Sequence, residues 1–171
     1  MGNAQEKVNG ILSQLAKTLE LSDLTLDKNN KCLILFDDKI VINLELTPVD
    51  NDLYLYSYLG LVPFFAKESI LELLLESNFF WKESFGSTFA IDAQTQTLVL
   101  ERKINLETFK DTEFEDTLAS FVDTVEFWMK RILELETEAE LLTNGDKDTT
   151  PKTLESEFAS EDFDTYGSWK Y

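Results

Sequence analysis

The side chains of this sequence that could do chemistry are almost all carboxylates, because the chain contains no histidine and only one cysteine, Cys32. Without histidine there is no Ser–His or Cys–His nucleophile and no imidazole to bind a catalytic zinc. Two adjacent acids, Asp37 and Asp38, follow an apolar run, and a turn accounts for both of them. The sequence therefore predicts a protein that is not an enzyme. A hydrolase working through two convergent carboxylates is the alternative.

Two acidic segments resemble metal sites but lack the geometry. Four glutamates occupy every second position of a predicted helix, which scatters them around the cylinder because neighbours on a face are three or four apart: Glu134, Glu136, Glu138 and Glu140. A second segment follows the spacing of a calcium loop at Asn144, Asp146, Asp148 and Glu155. Thr149 stands where that loop requires glycine. We therefore expect no metal site in either segment.

The net charge limits the possible partners. The chain carries 33 acidic and 15 basic residues, a formal charge of −18. Residues 1–142 hold 26 of the acids and 12 of the bases, so the acidity is not confined to the C-terminal end. Such a field repels nucleic acid and anionic membranes and favours a basic partner. We expect neither nucleic-acid binding nor membrane insertion.

The sequence also predicts a cellular compartment. Its beginning, MGNAQEKVNG, has no apolar core of a signal peptide, and no segment reaches the roughly 18 apolar residues of a membrane span. A single cysteine cannot form a disulfide within one chain. These features predict a cytoplasmic protein.

Hydrophobic periodicity predicts the elements that would have to position any site. Apolar residues three and four apart indicate helices, and alternation every second residue indicates strands. In chain order we expect a helix (4–20), three strands (32–36, 40–46 and 53–59), a helix (67–78), a hairpin in STFAIDAQTQTLVLERK and a long helix (111–142). The hairpin should place Phe89 and Ile91 opposite Leu98 and Leu100.

This order predicts an α+β domain over residues 1–142, with a five-stranded antiparallel twisted sheet and three helices arranged α-βββ-α-ββ-α. Residues 143–171 lack periodicity and contain several aromatic residues among acids. We expect them to form a flexible tail.

Two apolar features lack an obvious cover. The segment ILELLLESNFFW, residues 70–81, would form a helix that is apolar nearly all round and must be covered on every side. Tyr54, Tyr56 and Tyr58 share one face of a predicted strand, opposite the leucines that should face the core. Either a helix covers these tyrosines, or they form a partner site.

Several segments of this sequence, taken together, resemble those of the class I type III secretion chaperones of the Tir-chaperone type. The resemblance lies in YSYLGLVP, in ILELLLESN ending at Asn78, in FGSTFAIDAQTQTLVL, and in LASFVDTVEFWMKRI with Trp128. It covers about residues 4–135. Two departures are the length of the tail and the three consecutive aromatic residues after Asn78.

The resemblance implies a bacterial cytoplasmic homodimer that binds the N-terminal segment of a secreted effector in extended form before export, with a secretion-apparatus ATPase as a further possible partner. It implies no cofactor and no catalysis. In this family the second helix and the strand after it form the dimer interface, which here predicts Ile70, Leu71, Leu74, Leu75, Phe89 and Ile91. An extended segment needs apolar pockets and a free strand edge. The residues that we expect to bind cargo are Leu12, Leu15, Leu19, Val41, Tyr54 and Tyr56.

One alternative to the secretion chaperone stays open on this scaffold. An adaptor or sensory module unrelated to secretion would have the same fold but would lack the apolar patches that face cargo.

Overall fold

The computed structural model describes residues 2–47 and 49–145, so most of the predicted tail lies outside the described residues. The elements are α1 (Gly2–Thr18), β1 (Lys31–Phe36), β2 (Ile40–Thr47), β3 (Asp52–Leu61), α2 (Lys67–Asn78), β4 (Thr88–Asp92), β5 (Thr97–Asn105) and α3 (Phe114–Gly145). Short 3-10 turns occur at Phe79–Trp81 and Asp111–Glu113. The predicted α+β fold and the element order are confirmed. The last turn of α3 includes residues 143–145, which the sequence had assigned to the tail.

The five strands form one antiparallel sheet in the order β1-β2-β3-β5-β4. Between β1 and β2 the chain turns at Asp37 and Asp38, whose φ angles are 49° and 56°. Positive φ at both central residues matches the twist of the flanking strands, and Asp tolerates that conformation. In the β4–β5 hairpin, Phe89 lies opposite Leu100 and Ile91 opposite Leu98, as predicted.

The core lies on one face of this sheet. Because side chains alternate along a strand, every second residue of β2 and β3 points inward and the intervening residues point away. The buried residues of all three helices join the inward strand residues in a single cluster, which includes Leu12, Leu15, Ile42, Leu44, Leu55, Ile70, Leu74, Leu100, Phe121 and Trp128. The sheet therefore has an inner face, packed by helices, and an outer face.

Helix α3 packs against the side of the sheet that contains β4. Phe114, Phe121 and Val125 are fully buried along one stripe of the helix. Further along, the Trp128 ring packs edge-on against Phe89, with 4.8 Å between ring centroids. The Trp128 indole also donates a hydrogen bond to the Glu83 carbonyl oxygen at 3.0 Å. A single aromatic residue thus holds both β4 and the segment that precedes it.

Asn78, the last residue of α2, ties that helix to β4. Its side-chain oxygen accepts a hydrogen bond from the Phe89 backbone N–H at 2.8 Å, and its amide nitrogen donates to the Phe89 carbonyl oxygen at 3.2 Å. Among the described strands β4 pairs with β5 alone, so these bonds satisfy backbone groups on the other edge of β4. Asn78 therefore sets the spacing between α2 and β4.

We predict that Asn78→Ala lowers the free energy of unfolding by about 1–3 kcal/mol, because two partly buried backbone groups of Phe89 lose their partners. Urea denaturation followed by circular dichroism measures the change. Gln94→Ala, in the exposed β4–β5 turn, is the control and should alter stability by less than about 0.5 kcal/mol. Equal stability of the two variants would contradict this role of Asn78.

Candidate interaction surfaces

The outer face of the sheet carries apolar and aromatic side chains that no helix of the described residues covers. Leu33 and Leu35 are 58% and 52% exposed, and Tyr58 is 47% exposed. Val41, Tyr54 and Tyr56 are half-buried among their neighbours on the same face. We define the outer face by these six residues. None of them belongs to the core cluster or to the residues packed against it.

The strand register sets the order of side chains across this face. Leu33 lies opposite Asn43, and Asn43 lies opposite Tyr56, so the three form a row across β1, β2 and β3. The neighbouring row contains Lys31, Glu45 and Tyr54, with a Lys31–Glu45 ion pair at 2.8 Å. Apolar and aromatic residues thus alternate with paired charges along the sheet.

Strand β1 lies at the edge of the sheet. Within residues 2–47 and 49–145 it pairs with β2 alone. The Lys31 carbonyl accepts a bond from the Asp27 N–H at 2.7 Å on the side away from β2. Because the N–H and C=O of one residue point to the same edge and successive residues alternate, Leu33 and Leu35 also direct their backbone groups to the free edge. These two residues present both side chain and backbone to a partner.

A cavity of about 520 Å³ lies where β1 meets the segment after α1. Its lining includes Leu24, Lys31, Leu33, Asn43 and Tyr56. Partial burial raises the pKa of the Tyr56 hydroxyl. The hydrogen bond between Lys31 and Glu45 raises the pKa of the Lys31 ammonium group. At neutral pH the cavity therefore offers a neutral phenol and an ammonium group beside two aspartates, Asp23 and Asp27, and apolar side chains.

A second apolar surface lies between α2 and β4. This α2–β4 groove, of about 270 Å³, is lined only by apolar residues: Leu71, Leu74, Leu75, Phe89, Ala90, Ile91 and Leu98. Leu75 is 69% exposed and Ile91 is 45% exposed. The apolar helix noted in the sequence is thus covered on its inner side by the sheet and open on the Leu75 side.

The structure brings together only part of the set predicted to bind cargo. Val41, Tyr54 and Tyr56 share the outer face, as expected from the alternation of their strands. Leu12 and Leu15 are 0% and 3% exposed, because the single apolar stripe of α1 packs on the inner face. These two residues are core residues, and we correct their assignment.

The position of Leu19 also differs from the prediction. It is 37% exposed at the end of α1 and does not line the cavity beside β1. Sequence reasoning missed Leu33 and Leu35, because the continuous apolar run CLILF does not indicate which residues face outward. The register with β2 supplies that signal, since Leu35 lies opposite Val41.

Five of the six residues predicted for the dimer interface line the α2–β4 groove, and Ile70 does not. Ile70 and Leu74 are 1% and 3% exposed, since both pack on the inner face of the sheet. They have almost no surface left to bury against another subunit. Of the six residues predicted for the dimer interface, Leu75 and Ile91 are exposed and Leu71 is half-buried.

Comparison with known proteins identifies the family. The sequence model of the Tir chaperone protein (CesT) family matches residues 10–129, which is more than half of the chain. The chain belongs to the CesT family. This membership confirms the predicted type III secretion chaperone and the prediction that the protein is not an enzyme.

Individual known proteins also share sequence or fold with this chain. The transcriptional anti-antiactivator ExsC of Pseudomonas aeruginosa is 29% identical over 134 residues, which span 78% of this chain and 90% of ExsC. The ExsC–ExsE complex superposes with a TM-score of 0.64 at 29% identity, covering 74% of this chain and 93% of that one. The HopA1–SchA chaperone–effector complex gives a TM-score of 0.63 at 16% identity, covering 74% and 96%, and supports the fold alone.

Two further features of this CesT-family chain concern membranes and metals. Within residues 2–47 and 49–145, no helix has the length and hydropathy needed to cross a membrane. Over the same residues, no three or more carboxylate or cysteine side chains come together as a metal site. Most of the calcium-like spacing considered in the sequence lies outside the described residues.

We predict that Leu15→Ala and Leu33→Ala affect stability very differently. Leu15→Ala should cost about 2–5 kcal/mol because it opens a cavity in the core, whereas Leu33→Ala removes an exposed side chain and should cost less than about 0.5 kcal/mol. Thermal and urea unfolding of the two variants measure the difference. A tolerated Leu15→Ala would contradict the division between core and outer face.

Proposed function

We propose that this protein is a cytoplasmic homodimer that binds the N-terminal segment of a secreted effector in extended form before export. The observation that carries the proposal is the free edge of β1 beside an uncovered apolar face, in a member of the CesT family. A secretion-apparatus ATPase is the expected acceptor of the loaded chaperone.

The β1 edge supports binding of a segment in extended form. An added strand would pair with the backbone groups of Leu33 and Leu35, and alternate side chains of that strand would contact the outer face. Backbone pairing provides affinity without demanding a particular sequence, and the pockets on the outer face add preference for apolar side chains. Several effectors with little common sequence could therefore use the same edge.

Charge supports a basic effector segment. The chain carries a net charge of −18, while the charges on the outer face are largely paired, as in the Lys31–Glu45 bridge. The overall field would steer a basic segment toward the protein and raise its association rate. The apolar contacts would then govern the dissociation rate.

The α2–β4 groove supports the homodimer. In a symmetric dimer the same patch lies on both subunits, so Leu75 of one subunit can pack against the groove of the other. Such packing would cover the exposed side of α2. A stable dimer buries about 800 Å² on each subunit, so residues around the groove must also contribute.

We predict that Leu75→Asp converts the dimer into folded monomers. Leu75 is 69% exposed in the protomer, so the change should spare the core, while at an interface it would bury an unpaired carboxylate at a cost of several kcal/mol. Light scattering gives the mass, and circular dichroism confirms folding.

Leu33→Asp provides the matched control for the dimer, because Leu33 is similarly exposed on the outer face and the variant should remain dimeric. Leu74→Asp is not informative, since a charge at this buried position would unfold the protomer itself. A Leu75→Asp protein that keeps the dimer mass would contradict the interface.

We predict that Tyr56→Glu and Leu35→Pro each weaken effector binding about ten-fold or more, for different reasons. Glutamate places a carboxylate against the bound apolar side chains, whereas proline removes an N–H that only an added strand would use. The effector co-purified from the native bacterium, once identified, is titrated against each variant by calorimetry.

Two variants control for side-chain loss and for surface charge in this titration. Leu35→Ala keeps the backbone donor and should bind better than Leu35→Pro. Leu133→Glu changes a leucine on α3 that is 64% exposed and should leave binding unchanged. Unaltered affinity in both Tyr56→Glu and Leu35→Pro would reject the β1 edge as the binding site.

The likeness to ExsC supports a second candidate function. A protein named a transcriptional anti-antiactivator opposes an antiactivator, so this chain would bind such a regulator and link secretion to transcription. Deleting the gene should then lower expression of a secretion-gene reporter. If only secretion of the effector falls and the reporter does not respond, the export chaperone alone is supported.

A further inference from the structure

The segment between α2 and β4 exposes an unusual number of aromatic rings. We call residues 79–87 the aromatic loop. Phe79, Phe80, Trp81 and Phe85 are all more than half exposed, and Phe127 of α3, 54% exposed, lies near the same surface. Neither the β1 edge nor the α2–β4 groove includes these residues.

The backbone of the aromatic loop is held in a costly conformation. Phe80, Trp81 and Phe85 have φ angles of 55°, 52° and 50°, a region that bulky residues rarely adopt. Such strain persists only where the surroundings determine the conformation, and it is common at binding sites. The rings are therefore displayed at a cost to stability.

Side-chain contacts from β5 and α3 hold residues 83–87 of the loop. The Arg102 guanidinium donates to the Phe85 carbonyl, to the Ser87 hydroxyl at 3.2 Å and to the Thr117 carbonyl at 3.3 Å. Burial lowers the pKa of Arg102, and the Phe121 ring packs beside its guanidinium at 5.8 Å. The Trp128 indole bonds to Glu83, as described above. The loop is thus preorganised by β5 and α3.

Between this loop and α3 lies a groove of about 360 Å³. The residues that line it are two exposed phenylalanines, two acidic residues and two hydroxyl-bearing residues: Phe85, Phe127, Glu83, Asp123, Ser120 and Thr124. We call it the Phe85–Phe127 groove. Aromatic faces and carboxylates together favour a cation that carries an aliphatic stem, as lysine and arginine do.

We propose that the Phe85–Phe127 groove binds a lysine or arginine side chain presented by a partner protein, at a site separate from the effector surface. The cation would lie against the Phe85 and Phe127 rings and within reach of the Glu83 and Asp123 carboxylates. The neighbouring positions of the partner would place apolar residues on the exposed rings of the aromatic loop.

Charge complementarity selects a foreign basic segment as the occupant. A second copy of this chain would bring its net charge of −18 to a groove with two acidic residues, whereas the α2–β4 groove that we propose for the dimer is lined by apolar residues. Residues 146–171 hold seven acids and three bases, so the C-terminal segment would bring further negative charge to a groove that already has two carboxylates. The inference goes beyond the proposed function, because it gives the protein a second protein partner while the effector occupies β1.

The test uses the acetylated and amidated peptide Gly-Leu-Arg-Leu-Gly and its counterpart with neutral citrulline in place of arginine. Each is titrated into the full-length protein while backbone amide shifts are recorded by NMR. We expect saturable shifts in residues 83–87 and 120–127, with the citrulline peptide binding about five-fold more weakly, as befits loss of a cation at an aromatic site. Added salt should weaken the arginine peptide further.

Variants locate the site without disturbing the fold. Phe85→Asn suits the positive φ angle and removes the ring, and Asp123→Asn removes one carboxylate; each should weaken binding about five-fold. Phe64→Ala and Glu138→Gln are matched controls at exposed positions elsewhere and should leave binding unchanged. Tyr56→Glu, which tests the effector surface, should not affect the peptide.

Several results would overturn the proposal. These are the absence of saturable shifts at millimolar peptide, equal binding of the citrulline peptide, and shifts confined to the outer face. If the amide shifts of the groove residues change with protein concentration in the absence of peptide, the groove binds a second copy of the chain. If adding the peptide changes the NMR signals of residues 146–171, the groove binds the C-terminal segment of the chain.

Discussion

The burial of one face of the sheet by all three helices is the constraint on which the rest of the structure depends. Strand residues alternate between two faces, so once the leucines of β3 join the core, its tyrosines must point the other way. With α1, α2 and α3 all committed to the inner face, the described residues supply nothing to cover the outer one. The uncovered face that we propose as the effector surface is thus a geometric consequence of how the core is built.

Much of this architecture could be predicted, because it depends on local patterns. Strict alternation in IVINLEL and LYLYSYL fixed both the strands and the face on which Tyr54 and Tyr56 lie. The order of elements and the pairing of Phe89 with Leu100 followed from the same periodicity. Helix ends differed by only a few residues, since capping and fraying depend on contacts that a pattern does not encode.

The parts that could not be predicted depend on tertiary contacts. A helical stripe containing Leu12 and Leu15 looks the same whether it meets the sheet or a partner, so their burial appears only once α1 is packed. The outward direction of Leu33 depends on pairing with β2. Phe85 has a positive φ angle in a stretch of the loop whose backbone is bonded to Arg102 and Trp128, which lie far away in the sequence, and no local signal reveals this conformation.

The open edge of β1 has a consequence for the behaviour of the protein by itself. An unpaired strand that displays two leucines is a template on which another copy of the same strand can add, which is how edge strands begin to aggregate. The two aspartates at the end of β1 and the net charge of −18 oppose this by repulsion between copies. That protection is electrostatic and is screened beyond about 10 Å at 0.1 M salt. If the effector occupies this edge as we propose, cargo also covers the strand on which aggregation would begin, so that a supply of cargo would protect the chaperone as well.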